Sequence, residues 1–161
     1  MTHPAAAVVR RLIDRGETLA TAESLTGGLV AATLVEIPGV SAVFRGGLVV
    51  YATDLKHELA GVPADLLAER GPVDPDVAVA LAEGARERCG ADWGLSTTGV
   101  AGPEPQDGKP VGLVYVAVAG PHGASWRELK LDGNRAVIRT ESVTSVLRLL
   151  SASLDDRPAA V

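Results

Sequence analysis

A short apolar segment, a turn rich in hydroxyls and glycine, and an apolar helix-like run follow one another between residues 19 and 37. The turn reads Thr21-Ala22-Glu23-Ser24-Leu25-Thr26-Gly27-Gly28. A strand that passes through a tight turn into a helix is a unit of layered α/β folds. It presents a serine hydroxyl and unpaired backbone N–H groups where the helix dipole is positive. The turn is therefore the first candidate for chemistry on an anionic or carbonyl-bearing substrate.

Strand-like and helix-like segments alternate along the rest of the chain. Apolar periodicity and capping signals predict helices at residues 5–15, 26–37, 54–60, 63–70, 74–89 and 134–150, and strands at residues 19–22, 48–51, 93–97, 111–119 and 125–131. This order, which includes one hairpin, predicts an α/β fold, a three-layer α/β/α sandwich with a mixed sheet. We expect one domain over residues 1–150 and a disordered tail over residues 151–161.

Composition excludes several classes of function. The formal net charge of −5 argues against a general nucleic-acid binder, which normally carries a basic surface. The single cysteine, Cys89, excludes an internal disulfide and a cysteine-based metal cluster. No His, Asp and Glu pattern has the spacing of a zinc or calcium site. We therefore expect neither a metal nor another cofactor.

Apolar patterning bears on location and assembly. No apolar run approaches the roughly 20 residues of a membrane span, and the N-terminus lacks a signal-peptide pattern. We expect a cytoplasmic protein that binds no membrane. The many apolar faces of the predicted helices favour a homo-oligomer.

Ser24 is the first candidate for a catalytic side chain. Serine and threonine at the start of a helix most often serve as caps, and this interpretation of Ser24 and Thr26 stays open. The pair Gly27-Gly28 favours a further role, because glycine weakens a helix and usually stands where the backbone is closely approached. Either a ligand or a neighbouring chain segment would explain that approach.

A base for a serine nucleophile is hard to find among the histidines. His3 lies near the N-terminus, His122 lies in a predicted hairpin turn, and His57 lies beside Lys56 on a short predicted helix. The lysines of this arginine-rich chain are Lys56, Lys109 and Lys130. A coding bias explains their scarcity, but lysine also supplies a neutral amine that arginine cannot. A serine activated by lysine is therefore the better interpretation of a nucleophilic site.

Tyr51 and Lys56 are the candidate partners of Ser24. Tyr51 ends a predicted strand and Lys56 follows one turn into the next predicted helix, so both side chains can reach the same end of the sheet. The alternatives are a core aromatic with its hydroxyl at the rim for Tyr51 and a solvated helix face for Lys56. Together, the three residues form a candidate set of nucleophile, base and proton relay.

Candidate substrate-binding groups lie mostly in glycine-rich turns. The segment 97–103 resembles the first turn in kind and presents N–H groups to a phosphate or ribose, although an ordinary glycine-rich connection is the alternative. Arginines near such turns are candidate anion clamps, of which Arg139 is the weaker because arginines on helix surfaces are usually only solvated. The candidates are Thr26, Gly27, Gly28, Arg45, Gly46, Thr98, Gly99, Gly102, Lys109 and Arg135.

Several motifs occur in order between about residues 5 and 150. They are Thr21-Ala22-Glu23-Ser24 with Thr26-Gly27-Gly28, Phe44-Arg45-Gly46-Gly47 leading to Tyr51, Lys56, Gly71-Pro72-Val73, Thr98-Gly99-Val100-Ala101-Gly102-Pro103, Lys109-Pro110-Val111-Gly112 and Gly133-Asn134-Arg135. One such motif is weak evidence, whereas the ordered set is highly specific. With this set, the chain resembles the CinA C-terminal domain family.

The resemblance implies a stand-alone, PncC-like nicotinamide-nucleotide amidase. Such an enzyme hydrolyses the carboxamide of nicotinamide mononucleotide to nicotinate mononucleotide and ammonia, a step of pyridine nucleotide salvage. The resemblance also implies a Ser/Lys/Tyr centre without metal, which falls on Ser24, Lys56 and Tyr51. A non-catalytic nucleotide-binding or regulatory module on the same fold, or a hydrolase of a different nucleotide, is the alternative.

The sequence departs from the family pattern near the candidate centre. Leu25 replaces a usual cysteine, which should leave the hydroxyl geometry intact. Asp54 lies between Tyr51 and Lys56, and we expect its charge to raise the pKa of Lys56 and disfavour the neutral amine. Asp74 adds another carboxylate at a helix start that we expect to face the site.

Overall fold

The computed structural model describes residues 3–156. The elements follow in the order α1 (Pro4–Arg15), β1 (Leu19–Glu23), α2 (Leu29–Val35), a 3-10 helix (Val40–Ala42), β2 (Phe44–Val49), α3 (Thr53–Glu58), α4 (Ala64–Arg70), α5 (Pro75–Cys89), β3 (Trp93–Gly99), β4 (Leu113–Gly120), β5 (Gly123–Lys130) and α6 (Arg135–Asp155). The predicted alternation of helices and strands, with a hairpin before the last helix, is confirmed.

The five strands form one mixed sheet in the order β2-β1-β3-β4-β5. Strand β1 pairs in parallel with both β2 and β3, whereas β4 is antiparallel to β3 and β5 is antiparallel to β4. Because β1, β2 and β3 run in the same direction, their carboxyl ends meet at one edge of the sheet. In open α/β sheets, ligands bind outside the carboxyl ends of the strands.

Helices cover both faces of the sheet. Alternate residues of β4 separate the two cores: Val114, Val116 and Val118 pack with α1, α2 and α6, whereas Tyr115 and Ala117 pack toward α5. Helices α3 and α4 lie on the α5 side, over β1 and β2. This period of two confirms the three-layer arrangement. Within residues 3–156, no helix combines the length and apolar character required to cross a bilayer.

Element boundaries predicted from the sequence are wrong at β2 and at the end of α6. Strand β2 begins at Phe44, because the glycine pair 46–47 pairs with β1 despite its lack of side chains; a Cβ at Gly47 would lie 2.4 Å from the Thr21 hydroxyl. Tyr51 therefore lies beyond the strand and does not end it. Helix α6 continues to Asp155 and buries Leu154, so the first part of the expected tail is helical. Residues 157–161 of that tail lie outside the described residues.

Helix α5 lies so close to the chain after α3 that one of its positions has no room for a side chain. A Cβ added at Gly84 would lie 1.9 Å from the backbone oxygen of Ala60. We expect Gly84→Ala to lower the free energy of unfolding by about 1–3 kcal/mol, measured by urea denaturation, because the backbone must move. Gly46→Ala is the control, since nothing lies within 4 Å of its added Cβ. Equal effects of the two variants would contradict this packing.

Candidate active site

Ser24 begins the β1–α2 turn (residues 24–28) at the carboxyl edge of the parallel strands. Its backbone N–H donates to the carbonyl of Thr97 on β3 at 3.0 Å. On the other side, the N–H of Val50, just after β2, donates to the carbonyl of Glu23 at 2.9 Å. Hydrogen bonds from both neighbouring strands therefore fix the backbone that carries the Ser24 hydroxyl.

Helix α3 brings Lys56 to the same edge, where the lysine side chain is 1% exposed. Its Nζ lies 2.9 Å from Ser24 Oγ, 2.8 Å from the carbonyl oxygen of Val50 and 3.1 Å from that of Tyr51. A neutral amine has two hydrogens and one lone pair. The two carbonyls can accept both hydrogens, which leaves the lone pair for the Ser24 hydroxyl.

Burial lowers the pKa of Lys56 from 10.5 to about 8. Desolvation disfavours the ammonium form, and no carboxylate within residues 3–156 opposes this effect. The expectation that Asp54 raises the pKa of Lys56 is therefore wrong, since Asp54 is exposed on the first turn of α3. Asp74 does not line the site; it caps α5, and its carboxylate lies 3.6 Å from the Arg70 guanidinium.

Tyr51 contributes its backbone carbonyl to Lys56, while its side chain is 61% exposed. Its hydroxyl accepts a hydrogen bond from Arg135 at 3.3 Å. Arg135 begins α6 and also donates to the carbonyl of Gly102. The arginine thus connects the segment after β2 to the loop after β3. The hydroxyl of Tyr51 makes no hydrogen bond to Ser24 or Lys56 among the described contacts.

A cavity of about 300 Å³ opens between these groups. The site residues predicted from the sequence that line it are Ser24, Tyr51, Lys56, Thr98, Gly99, Gly102 and Arg135. Its remaining walls are Leu25, Thr53, Pro72, Val73, Val100, Ala101, Pro103, Glu104, Pro105 and Gln106. The ends of β1 and β3, helix α3 and the start of α6 therefore converge on one concave surface.

Six predicted substrate-binding residues do not line this cavity. Arg45 and Gly46 lie toward the opposite end of β2, where Arg45 Nε donates to the carbonyl of Cys89 at 2.5 Å. Lys109 pairs with Gln106 within the loop after β3. Thr26, Gly27 and Gly28 complete the β1–α2 turn behind Ser24.

Internal contacts take up part of the expected N–H cradle of this turn. The N–H of Gly27 donates to the Ser24 carbonyl, and that of Leu29 donates to the Thr26 carbonyl. Within residues 3–156, the N–H groups of Leu25 and Thr26 have no protein acceptor. Leu25 lines the cavity, whereas Thr26 is completely buried behind Ser24, so the Leu25 amide is the better candidate for stabilising an oxyanion.

The match to known proteins covers almost the whole chain. A family model described as the CinA C-terminal domain matches residues 1–154. The chain belongs to the CinA C-terminal domain family. It is 50% identical over 151 residues to a CinA-like protein of Frankia casuarinae, an alignment that covers 94% of this chain and 35% of the relative. A CinA-like protein of Geobacter sulfurreducens is 47% identical over 91% of this chain and 37% of its own length. The chain thus spans about a third of these curated relatives.

Solved structures of CinA-superfamily proteins share the fold. The competence/damage inducible protein CihA from Agrobacterium tumefaciens is 36% identical with a TM-score of 0.87, over 97% of this chain and 98% of that chain. A CinA-superfamily protein from Klebsiella pneumoniae 700603 is 29% identical with a TM-score of 0.92, over 96% and 97% of the two chains. The family resemblance inferred from the motifs is therefore confirmed.

Glu23 has a structural role in this CinA-family chain that was not predicted from the sequence. Its carboxylate is 1% exposed and accepts from the hydroxyl of Thr26 at 2.6 Å and from the amides of Val30 and Ala31 at 2.8 and 3.0 Å. It therefore satisfies the first turn of α2, whose N-cap Gly28 has no side chain to do so. An acidic residue at the end of a mostly apolar strand was the signal that could have indicated this role.

The hydroxyl of Thr26 connects Glu23 to β3, because it also lies 2.8 Å from the hydroxyl of Thr97. Replacing it by a near-isosteric valine leaves a buried polar group without a partner. We expect Thr26→Val to lower the free energy of unfolding by about 1–3 kcal/mol in chemical denaturation. Thr140→Val, on the exposed face of α6, is the control and should change stability little. An unchanged Thr26→Val midpoint would contradict this account of the turn.

Proposed function

We propose that this chain is a serine amidase that hydrolyses the carboxamide of nicotinamide mononucleotide to nicotinate mononucleotide and ammonia. The observation that carries the proposal is the 2.9 Å contact between Ser24 Oγ and a buried Lys56 amine whose pKa is lowered to about 8. The choice of substrate rests on the resemblance to nicotinamide-nucleotide amidases. The same resemblance supports a role in pyridine nucleotide salvage.

In the first half of the proposed reaction, Lys56 Nζ accepts the proton of Ser24 while Oγ attacks the carboxamide carbon. The N–H group of Leu25 donates to the oxyanion that develops; such a donor contributes roughly 3–4 kcal/mol to the transition state. As the carbon–nitrogen bond breaks, the Lys56 ammonium returns its proton to the leaving nitrogen. Ammonia departs and an acyl ester on Ser24 remains.

In the second half, Lys56 accepts a proton from water, and the resulting hydroxide attacks the ester. The ester bond breaks, Ser24 Oγ recovers its proton from Lys56, and the acid leaves. Every proton in this cycle passes through Lys56 Nζ, so Tyr51 is not a proton relay in it. The tyrosine instead contributes the carbonyl that orients Lys56 and a hydroxyl that accepts from Arg135.

Arg135 is the permanent positive charge of the cavity among the described residues, and it supports binding of a nucleotide phosphate. Thr98 Oγ1 donates to the carbonyl of Pro72 at 2.6 Å, so its lone pairs remain available to accept from the carboxamide NH₂. A cavity of about 300 Å³ lies at the lower end of the range of small-molecule sites.

Replacement of the nucleophile or the base tests the reaction. We expect Ser24→Ala to abolish ammonia release from nicotinamide mononucleotide, with an unchanged circular-dichroism spectrum. Lys56→Arg should be nearly inactive as well, because arginine keeps the charge but offers no base. Lys130→Arg, on the exposed strand β5, is the matched control and should retain full activity. Full activity of Ser24→Ala would refute the proposed nucleophile.

Calorimetry on the same proteins distinguishes an enzyme from a binding module. If the wild-type chain binds the mononucleotide but releases no ammonia, the module interpretation replaces the amidase. If the chain neither binds nor hydrolyses the mononucleotide, a panel of other amide-bearing nucleotides tests whether the substrate assignment is wrong.

The rate should depend on pH through Lys56. The base is active only when deprotonated, and its pKa in the folded protein is about 8. We expect kcat to fall as pH decreases through about 8 and to level off above that value, measured by ammonia release under saturating substrate. Thermal unfolding over the same pH range is the control for stability. A rate that is independent of pH between about 6 and 9, a range that includes this pKa, would contradict the role of Lys56.

A further inference from the structure

Arg139 reaches the β1–α2 turn from the first turns of α6. Its Nε donates to the carbonyl of Leu25 and its Nη2 donates to the carbonyl of Thr26, each at 3.0 Å. The side chain is half-buried, and no carboxylate lies within ion-pair distance of it in residues 3–156. The guanidinium therefore acts on two peptide groups of this turn without being neutralised by an acid.

These two carbonyls belong to the Leu25–Thr26 and Thr26–Gly27 peptides of the turn. In a trans peptide the carbonyl and the N–H point in opposite directions, so a group that fixes the Leu25 carbonyl also fixes the Thr26 N–H. Leu25 lines the cavity next to Ser24, and the contact of Arg139 with its carbonyl holds this residue in place.

We propose that Arg139 is a positioning residue of the amidase site: it holds the β1–α2 turn so that Ser24 faces Lys56 and the Leu25 N–H faces the oxyanion. The proposal rests on the proposed function for the existence of an oxyanion step. Arg139 touches neither the hydroxyl nor the amine, so it acts through the turn. This role differs from the anion clamp expected from the sequence, because its donors are already directed to backbone carbonyls.

Three variants of the full chain test this inference. Arg139→Met removes both donors, Arg139→Lys keeps the charge but cannot bridge both carbonyls in the same way, and Arg148→Met changes an exposed arginine of the same helix as control. Steady-state ammonia release gives kcat and KM for the mononucleotide. Labelling with an alkyl fluorophosphonate, followed by mass spectrometry of the intact protein, measures the reactivity of Ser24 independently of the substrate. In this reaction Ser24 Oγ bonds to phosphorus, fluoride leaves, and the serine proton passes to Lys56. Thermal unfolding reports the folded fraction.

We expect Arg139→Met to lower kcat and the labelling rate by about 10- to 100-fold, less than the roughly 10²–10³-fold loss of a direct oxyanion donor. KM and the pH midpoint should remain near the wild-type values, because Arg139 does not line the cavity and Lys56 stays buried. Arg139→Lys should recover part of the loss, and Arg148→Met should match the wild type.

Two results would overturn the role of Arg139. The first is a folded Arg139→Met protein with unchanged kcat and labelling rate; the second is an increase in KM alone, which would indicate direct substrate binding. A wild-type chain that is labelled at Ser24 but leaves the mononucleotide intact refutes only the substrate, and the labelling rates then still decide the role of Arg139. A wild-type chain that is neither labelled nor active contradicts both proposals.

Discussion

The amine of Lys56 lies against three uncharged oxygens inside the protein, and the arrangement of the site depends on this burial. Two of these oxygens are carbonyls of the chain just after β2, and the third is the hydroxyl of Ser24. Uncharged acceptors compensate an ammonium less than water or a carboxylate does, so desolvation dominates and the pKa falls to about 8. The fold therefore provides a lysine that is partly neutral near physiological pH.

Keeping Ser24 opposite that amine requires a rigid turn, and the buried carboxylate of Glu23 makes the turn rigid. Glu23 accepts three hydrogen bonds from the start of α2 and from Thr26, so the N-terminal turn of the helix is already occupied by a carboxylate of the chain itself. A helix N-terminus attracts anions through its free N–H groups and its dipole. Here the N–H groups at the start of α2 bind the carboxylate of Glu23. This contact orders the turn that carries Ser24.

The order of elements was predictable because each strand and helix carries its own apolar period and its own stop signal. The start of β2 was predicted wrongly because its side chains carry no signal there. Gly46 and Gly47 pair with β1 through backbone groups alone, so the first half of the strand has no apolar pattern. At the site, the motifs indicated Ser24 and Lys56, and the structure brings them together. The direction of the Lys56 pKa shift was not predictable, because it depends on the depth of burial and not on the neighbour Asp54 in the sequence.

The occupied N-terminus of α2 also constrains how a nucleotide can lie in the cavity. Since Glu23 takes the amides of that helix, an anionic group gains no helix-terminus site beside Ser24. Among the described residues, the permanent cation on the cavity wall is Arg135, whose guanidinium already spans the Tyr51 hydroxyl and the Gly102 carbonyl. On the proposed reaction, the carboxamide therefore lies at Ser24 and Lys56 while the phosphate lies toward Arg135. This division keeps the phosphate charge away from Lys56, where a nearby anion would raise the pKa of the amine and suppress the base.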